Sequence, residues 1–414
     1  MSWIELLWQQ NASTGMYLIP NLTSHFSNLA KTSVITALLL RNATSEEKET
    51  LQASYDLHWK RKLEAQEIKE KDNQEVLQSN NSSVCVASFD LEKILSVPYG
   101  KTSSFYYVSK VACYNFTVFD IPKVQGYCYF WNETLGKKGS NEIGSSMMDF
   151  IEKKVREGVT EFHLYSDNCV GQNKNRYVFA LWLHLCAKHK IRIIHRFLEV
   201  GHTHTEGDNM HSVIEKASRN IDKYAPSEWL TIIKTSQTAS KKYVVKELEL
   251  SEIFDIKPLI VSNAAWENDT NAEKIKWLEL REIVADCNQP NKLLLKYDFD
   301  KEPVMLNLAS KKGRPINWAG VKLDAQSVNF YPVSKKKVEP LLGLCRKGLI
   351  PTSHHAFYDG LLQIDEPESA AADIDNPSSV LEPEVETVND EPVGPQQNKT
   401  KNKRKQKPKK KKKK

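Results

Sequence analysis

Between Val84 and Asp222, short runs of β-branched and aromatic residues alternate with segments whose apolar residues recur at helical spacing, and this order restricts the fold more than any bulk property. Three runs come first, Val84–Phe89, Phe105–Ile121 and Gln125–Trp131, separated by turn-forming Pro-Tyr-Gly and Pro-Lys segments, which suggests an antiparallel meander. A helix is expected from Ser140 to Glu157, where Ile143, Met147, Phe150, Ile151 and Val155 share a face and Gly158 closes the end. Strand Glu161–Ser166, helix Gln172–His189, strand Ile191–Leu198 and helix Glu206–Asp222 follow. Strands that return through helices pair in parallel. The expected fold class is therefore α/β, a layered mixed sheet in which three antiparallel strands precede a β-α-β-α-β-α order.

Around this core, placed at 81–224, the texture changes. Residues 45–78 are rich in Glu, Lys, Gln, Leu and Ala and lack Pro and Gly, so 1–80 reads as an N-terminal helical region dominated by one long, mostly solvated helix. Its thin apolar stripe of Leu51, Tyr55, Leu63 and Ile68 is a candidate docking face; a charged spacer helix is the plainer reading. Residues 225–363 read as a mixed accessory α+β domain, with helices Ser227–Thr235 and Glu273–Ala285, strands Tyr243–Leu250 and Leu293–Tyr297, and a last amphipathic segment at Val338–Leu344. The last part, 364–414, is acidic and Pro/Ser-rich and then polylysine, a composition that buries too little apolar surface to offset its ordering entropy; a disordered tail is expected.

Charge and cysteine usage narrow the class. The net charge of +6 conceals an asymmetry: the last sixteen residues, from Lys399, hold twelve Lys or Arg and no acid, which leaves the rest at −6. Seven cysteines (Cys85, Cys113, Cys128, Cys169, Cys186, Cys287, Cys345) stand singly without a CxxC pair, the pattern of free thiols in a reducing compartment. Met1–Pro20 has no basic segment followed by an apolar stretch, and no apolar run approaches the roughly eighteen residues of a spanning helix. Neither secretion nor membrane association is expected.

Four carboxylates fall where this order of elements can gather them: Asp90 ending the first strand, Glu142 opening the first core helix, Asp167 ending the fourth strand and Asp208 in the last helix. Hard oxygen donors in such a group suit Mg²⁺ or Mn²⁺, and paired ions can activate an attacking hydroxyl and stabilise the leaving oxygen of a phosphodiester. Each acid also has a structural reading. Asp90 and Asp167 are ordinary turn residues, Thr205-Glu-Gly-Asp208 fits a capping box, and Glu142 suits a helix N-terminus. Glu206 stands as the alternative to Asp208. His202 and His204, just ahead, are candidates for proton shuttling or metal ligation. Around Asp167, the polar side chains of Asn168, Gln172, Asn173, Lys174 and Asn175 are candidates for contacting phosphate at a strand-to-helix junction.

The strings Ser166-Asp-Asn-Cys-Val-Gly-Gln-Asn-Lys-Asn175 and Gly201-His-Thr-His-Thr-Glu-Gly-Asp208, with Ser88-Phe-Asp-Leu-Glu-Lys93, Trp131-Asn-Glu-Thr134 and Gly139-Ser-Asn-Glu-Ile143, resemble a large family of uncharacterised eukaryotic, transposon-derived proteins sharing a domain of unknown function. The likeness runs from about Ser83 to Tyr358. Family members carry a longer N-terminal region with paired cysteines, whereas Met1–Asn80 has none, which implies a truncated copy with a catalytic core and impaired recognition of its own DNA ends. More distantly, the succession of acids is similar to the RNase H superfamily of transposases and integrases. That likeness implies an RNase H-like mixed sheet, metal ligation by Asp90, Glu142, Asp167 and Asp208 or Glu206, and His204 or His202 near the leaving group.

Outside the core, Lys311-Lys-Gly-Arg314-Pro resembles a minor-groove-binding element, although a basic surface loop is the plainer reading. The tail, with Lys403, Arg404 and Lys405, can neutralise phosphates without reading sequence and matches a nuclear localisation signal. Together these features lead to one expectation: a nuclear, transposase-like enzyme that cleaves and transfers DNA strands with Mg²⁺ or Mn²⁺. Its expected partners are DNA, including transposon ends, then RNA, and its own copies in a homo-oligomer. The alternative is a domesticated or decayed transposase that binds nucleic acid without cutting it.

Overall fold

A computed structural model describes residues 45–364 apart from 80, 170–172, 200–204, 261–262 and 310–315. Helix α1 (Ser45–Ser79) leads into strands β1 (Val84–Leu91), β2 (Leu95–Val97), β3 (Val111–Asp120) and β4 (Gln125–Asn132). The alternating part continues with α2 (Ser140–Arg156), β5 (Glu161–Ser166), α3 (Arg176–His189), β6 (Arg192–Phe197) and α4 (Glu206–Ser218). Beyond it come α5 (Pro226–Thr235), β7 (Val244–Glu247), β8 (Glu282–Asp286), β9 (Lys292–Lys296), β10 (Val304–Asn307), β11 (Val333–Ser334), α6 (Lys335–Arg346), α7 (His355–Asp359) and β12 (Gln363–Ile364).

The fold is mixed α/β, with ten strands in one sheet in the order β10-β9-β8-β6-β5-β1-β3-β4-β7 and β2 added to β3. Strand β1 is antiparallel to β3 and parallel to β5, β5 is parallel to β6, and β3 is antiparallel to β4. The segment after residue 225 feeds the same sheet at both edges, β7 beside β4 and β8 beside β6.

Period-two alternation assigns the two faces. Cys85, Ala87 and Phe89 of β1 join Tyr127, Tyr129 and Trp131 of β4 and the buried sides of α2 and α3 in the main core. On the reverse face, Cys128 and Phe130 of β4 meet Met210 and Ile214 of α4 and Trp229 of α5, while Val86 and Tyr165 meet Ala65 of α1. Helices therefore cover both faces, and Asp90, two residues after Ser88 and four after Val86, belongs to the face of α1 and α4.

Two sequence expectations need correction. The run Phe105–Ile121 is not one strand: Ser103–Phe105 forms a single 3₁₀ turn, and β3 starts only at Val111. Glu273–Ala285 is not a helix. Its Glu, Lys and Leu content suggested one, but Ile283, Val284 and Ala285 pair antiparallel with Ile194 and its neighbours in β6, and sheet burial of β-branched residues outweighs local helix preference. The apolar stripe of α1 is not what holds the helix on the sheet, since Leu63 remains 49% exposed.

What docks α1 is a stripe of charged groups at helical spacing, His58, Arg61, Lys69 and Asp72, with Ala65 and Val76 between and beyond them. Asp72 is buried, and its Oδ2 lies 2.5 Å from His163 Nδ1, Tyr165 Oη and Arg196 Nη1 alike. Arg196 Nε reaches on to Glu282 of β8 at 2.6 Å, so one ionic cluster ties α1, β5, β6 and β8 together. Burial raises the Asp72 pKa, but His163, Arg196 and Tyr165 outweigh it and hold the carboxyl below its ordinary value; His163 is held above its own, mainly by Asp72 against burial.

Removing Asp72 takes away the buried carboxylate that His163 and Arg196 share and leaves Arg196 to Glu282 and His163 to Glu161. Asp72→Ala should lower the unfolding free energy by about 3–5 kcal/mol in urea titrations and speed amide exchange throughout α1. The Asp72 contribution is present above its unfolded pKa near 4 and fades as pH falls, whereas that of protonated His163 is complete below about 6.5 and fades as pH rises through its raised folded value. The cost of Asp72→Ala should therefore shrink in alkaline buffer; an unchanged cost would leave His163 out of the account.

Candidate metal centre

The parallel register of β1 and β5 ends on the pair Phe89↔Ser166, so Asp90 is the next residue of β1 and Asp167 follows directly after the end of β5. Across the other edge of β1, Asp90 faces Thr117 of β3. Helix α4 begins directly above: a Cβ on Gly207 would stand 3.4 Å from Asp90 Cβ and 3.5 Å from Thr117 Oγ1, ordinary contact distances that place the first turn of α4 against both residues. Asp208 follows at the third position of the helix and closes a capping box, in which Thr205 N donates to Asp208 Oδ2 at 2.8 Å and Asp208 N donates to Thr205 Oγ1 at 3.3 Å. Its structural role and its place in the cluster coexist.

Among the described residues, one group has metal-ligand spacing: Asp90, Asp208 and His211, each offering an atom within 4.8 Å of the others. That span matches ligands arranged about one ion at roughly 2.1–2.4 Å. Thr117 sets the imidazole. Its hydroxyl lies 3.1 Å from the Asp90 carbonyl, to which it can donate, and 2.8 Å from His211 Nε2, from which it can then accept. In that arrangement Nε2 carries the hydrogen and Nδ1 the lone pair, the tautomer in which Nδ1 can ligate an ion. Burial lowers the His211 pKa to about 4 despite Asp208, which keeps the ring neutral at physiological pH.

Asp90 is the most strained acid of the group. Burial, followed by the carboxylates of Asp167 and Asp208, pushes its pKa up to about 8, against the opposing hydrogen bond from Leu91 N at 2.8 Å. Asp167 is also raised, by burial and Asp208, although its Oδ1 accepts from Asn173 Nδ2 at 2.6 Å and Cys169 N at 3.1 Å. Repelling carboxylates in a desolvated place are stabilised by a cation.

The remaining candidates divide. Glu142 does not join the three ligands: its carboxylate is buried and accepts from Lys137 N at 2.8 Å and Gly139 N at 3.1 Å, capping α2. A Cβ on Gly136 would lie 2.8 Å from Glu142 Oε1, so that loop is shaped around the cap. Glu206 is held by Lys69 of α1 at 2.6 and 2.8 Å and by Ser88 Oγ at 2.8 Å.

The polar motif after Asp167 is committed internally. Asn175 accepts from Tyr177 N and Val178 N as the N-cap of α3. Lys174 is fully buried, donating to Asn168 Oδ1 and to the carbonyls of Leu278 and Leu280, and burial lowers its pKa to about 7. Asn173, Lys174 and Asn175 thus hold the Asp167 loop in place and present no polar group to a phosphate in this conformation. Gln172, His202, His204, Arg314, Lys403, Arg404 and Lys405 lie outside the described residues. His211 is the candidate ligand absent from the sequence expectations, although Asp208-x-x-His211 is the spacing that puts two side chains on one helical face.

An acid whose folded pKa is raised destabilises the fold from its unfolded value near 4 up to the folded one, so Asp90→Asn should raise the metal-free melting temperature at pH 8 by at least about 2 °C, the gain shrinking towards pH 4. Thr117→Val should weaken Mn²⁺ binding by about 10–100-fold in calorimetry by freeing the His211 ring.

No curated protein matches the chain. Residues 119–283, which reach from the end of β3 into β8 and hold Glu142, Asp167, Asp208 and His211, match a family described as a domain of unknown function, DUF7869.

Proposed function

We propose that this chain is a transposase-like enzyme that cleaves and transfers DNA strands at a metal-dependent, RNase H-like centre. The observation that carries the reading is the convergence of Asp90, Asp208 and His211 at the carboxyl end of a central strand, with Asp167 directly after the end of the neighbouring strand. Three antiparallel strands followed by parallel β5 and β6 support the RNase H-like part of the reading. Transposon descent, a nuclear location and assembly of several copies on DNA are parts of the same proposal, drawn from the sequence likeness and the polylysine run.

Asp90, Asp208 and the Nδ1 of His211 would hold the ion, and Asp167 would add charge beside it. One nitrogen among oxygen donors suits Mn²⁺ better than Mg²⁺. When bound, such an ion polarises phosphoryl oxygens and lowers the pKa of coordinated water. The protein's own groups bind and orient: Thr117 fixes the imidazole, the Thr205–Asp208 cap fixes the start of α4, and Asn173 holds the Asp167 carboxylate. The buried flanks of β1 and β5 limit water around the carboxylates, which strengthens their hold on a cation.

The test is Mn²⁺- and Mg²⁺-dependent cleavage of labelled duplex and branched DNA by the full chain. Asp90→Asn, Asp167→Asn and Asp208→Asn should each lose about 10²-fold or more in rate. Glu206→Gln should stay within about tenfold, because that carboxylate belongs to the α1 contact and not to the ion. A folded protein that binds DNA, cuts none and gains no stability from Mn²⁺ would be a domesticated binding protein instead.

A further inference from the structure

The loop that joins β2 to β3 presents two neighbouring tyrosines to solvent: Tyr106 is 81% and Tyr107 83% exposed, with ring centroids 5.2 Å apart and planes at 85°. Tyr99, at the start of the loop, is 48% exposed, and the ammonium groups of Lys110 and Lys223 lie 5.1 and 4.6 Å from its ring centroid. The loop is anchored. Tyr99 and Lys223 exchange two backbone hydrogen bonds of 2.7 Å, and Phe105 is buried in the core beneath α5, edge-on to Tyr224. The anchor ring is therefore Phe105, and the next two rings are held outward.

We infer that this loop is a stacking platform for single-stranded nucleic acid. Every base has a π-face, so exposed, held aromatic rings bind single strands without reading sequence, and adjacent lysines neutralise the backbone. Residues 98–110 supply Lys101 and Lys110 and contain no acid; the carboxylate of Asp222 nearby accepts from Lys101 N at 3.2 Å. Basic charge of one sign favours a nucleic acid over a protein surface as the occupant. The loop enters β3 at Val111, six residues before the Thr117 that faces Asp90. At about 3.3 Å per residue that is roughly 20 Å, a distance spanned by about six nucleotides at 3.4 Å each. The binding stands on the loop alone; the continuity of the bound strand with the acidic centre rests on the phosphodiester reading above.

The test measures binding of the full chain to fluorescein-labelled oligothymidine and oligouridine of roughly 20 nucleotides by anisotropy, across about 0.1–0.4 M NaCl. Tyr106→Ala/Tyr107→Ala should weaken binding at least about tenfold at every salt concentration with an unchanged log–log salt slope, because stacking releases no counterions. Tyr106→Phe/Tyr107→Phe, which keeps both rings, should bind like wild type. Lys101→Ala should instead lower the slope by about one. The lysine-rich tail is the same in every protein compared, and the two oligonucleotides distinguish DNA from RNA. An effect of the alanine pair below twofold, or loss of wild-type binding once salt suppresses the tail, overturns the inference. So does a change in sedimentation with unaltered nucleic-acid binding, which would make the loop a protein contact. A wild-type chain that binds through the tyrosines yet never cuts leaves the platform standing and removes the phosphodiester reading.

Discussion

The parallel register between β1 and β5 is the constraint from which the candidate site follows. Because Phe89 stands opposite Ser166, Asp90 of β1 comes beside Asp167, the residue that follows β5, and the antiparallel partner of Asp90 is a threonine able to orient an imidazole from α4. A slip of one residue would turn Asp90 and Thr117 towards opposite faces, and the packing of Cys85, Ala87 and Phe89 against α2 and α3 opposes such a slip. Hydrophobic burial on one face thereby aligns carboxylates on the other. Burial, followed by repulsion from neighbouring carboxylates, accounts for the upward shifts of Asp90 and Asp167.

Charge also builds the rest of that face. Helix α1 is held by ion pairs instead of an apolar stripe, and Asp72 is the centre of a cluster that spans four elements. Its Lys69 reaches Glu206 at the start of α4, so the helix that covers the sheet also touches the element that supplies Asp208 and His211. Pairs this well buried are expensive to desolvate, and they are tolerated here because nearly every donor finds an acceptor within the cluster.

Much of the architecture was legible beforehand. Strand Glu161–Ser166 was read to the residue, and the alternation of strands and helices from β3 to α4 was read in order. Misreadings came where local composition and long-range pairing disagree. Glu282–Asp286 has helix-forming neighbours but completes a sheet edge, and the docking side of α1 looks solvated because its contacts are charged. Within the site, Asp90, Asp167 and Asp208 were marked by their places at strand ends and a helix start. His211 was passed over in favour of His202 and His204, which are closer to the motif but outside the described residues. The amide-rich motif after Asp167 drew attention for its polarity, yet the polarity of Asn173, Lys174 and Asn175 is spent on loop carbonyls and a helix cap.

By itself, the sequence determined the succession of elements and which face of each strand is apolar, because periodicities of two and 3.6 are local properties of a chain in water. It also determined that acids end two strands. Only the tertiary structure decided that β5 lies beside β1 instead of at an edge, that Glu142 caps its own helix while Asp208 reaches Asp90, and that Lys174 is interior. Those outcomes depend on register and on the desolvation of charges by residues distant in sequence, and neither quantity can be read from a residue and its near neighbours.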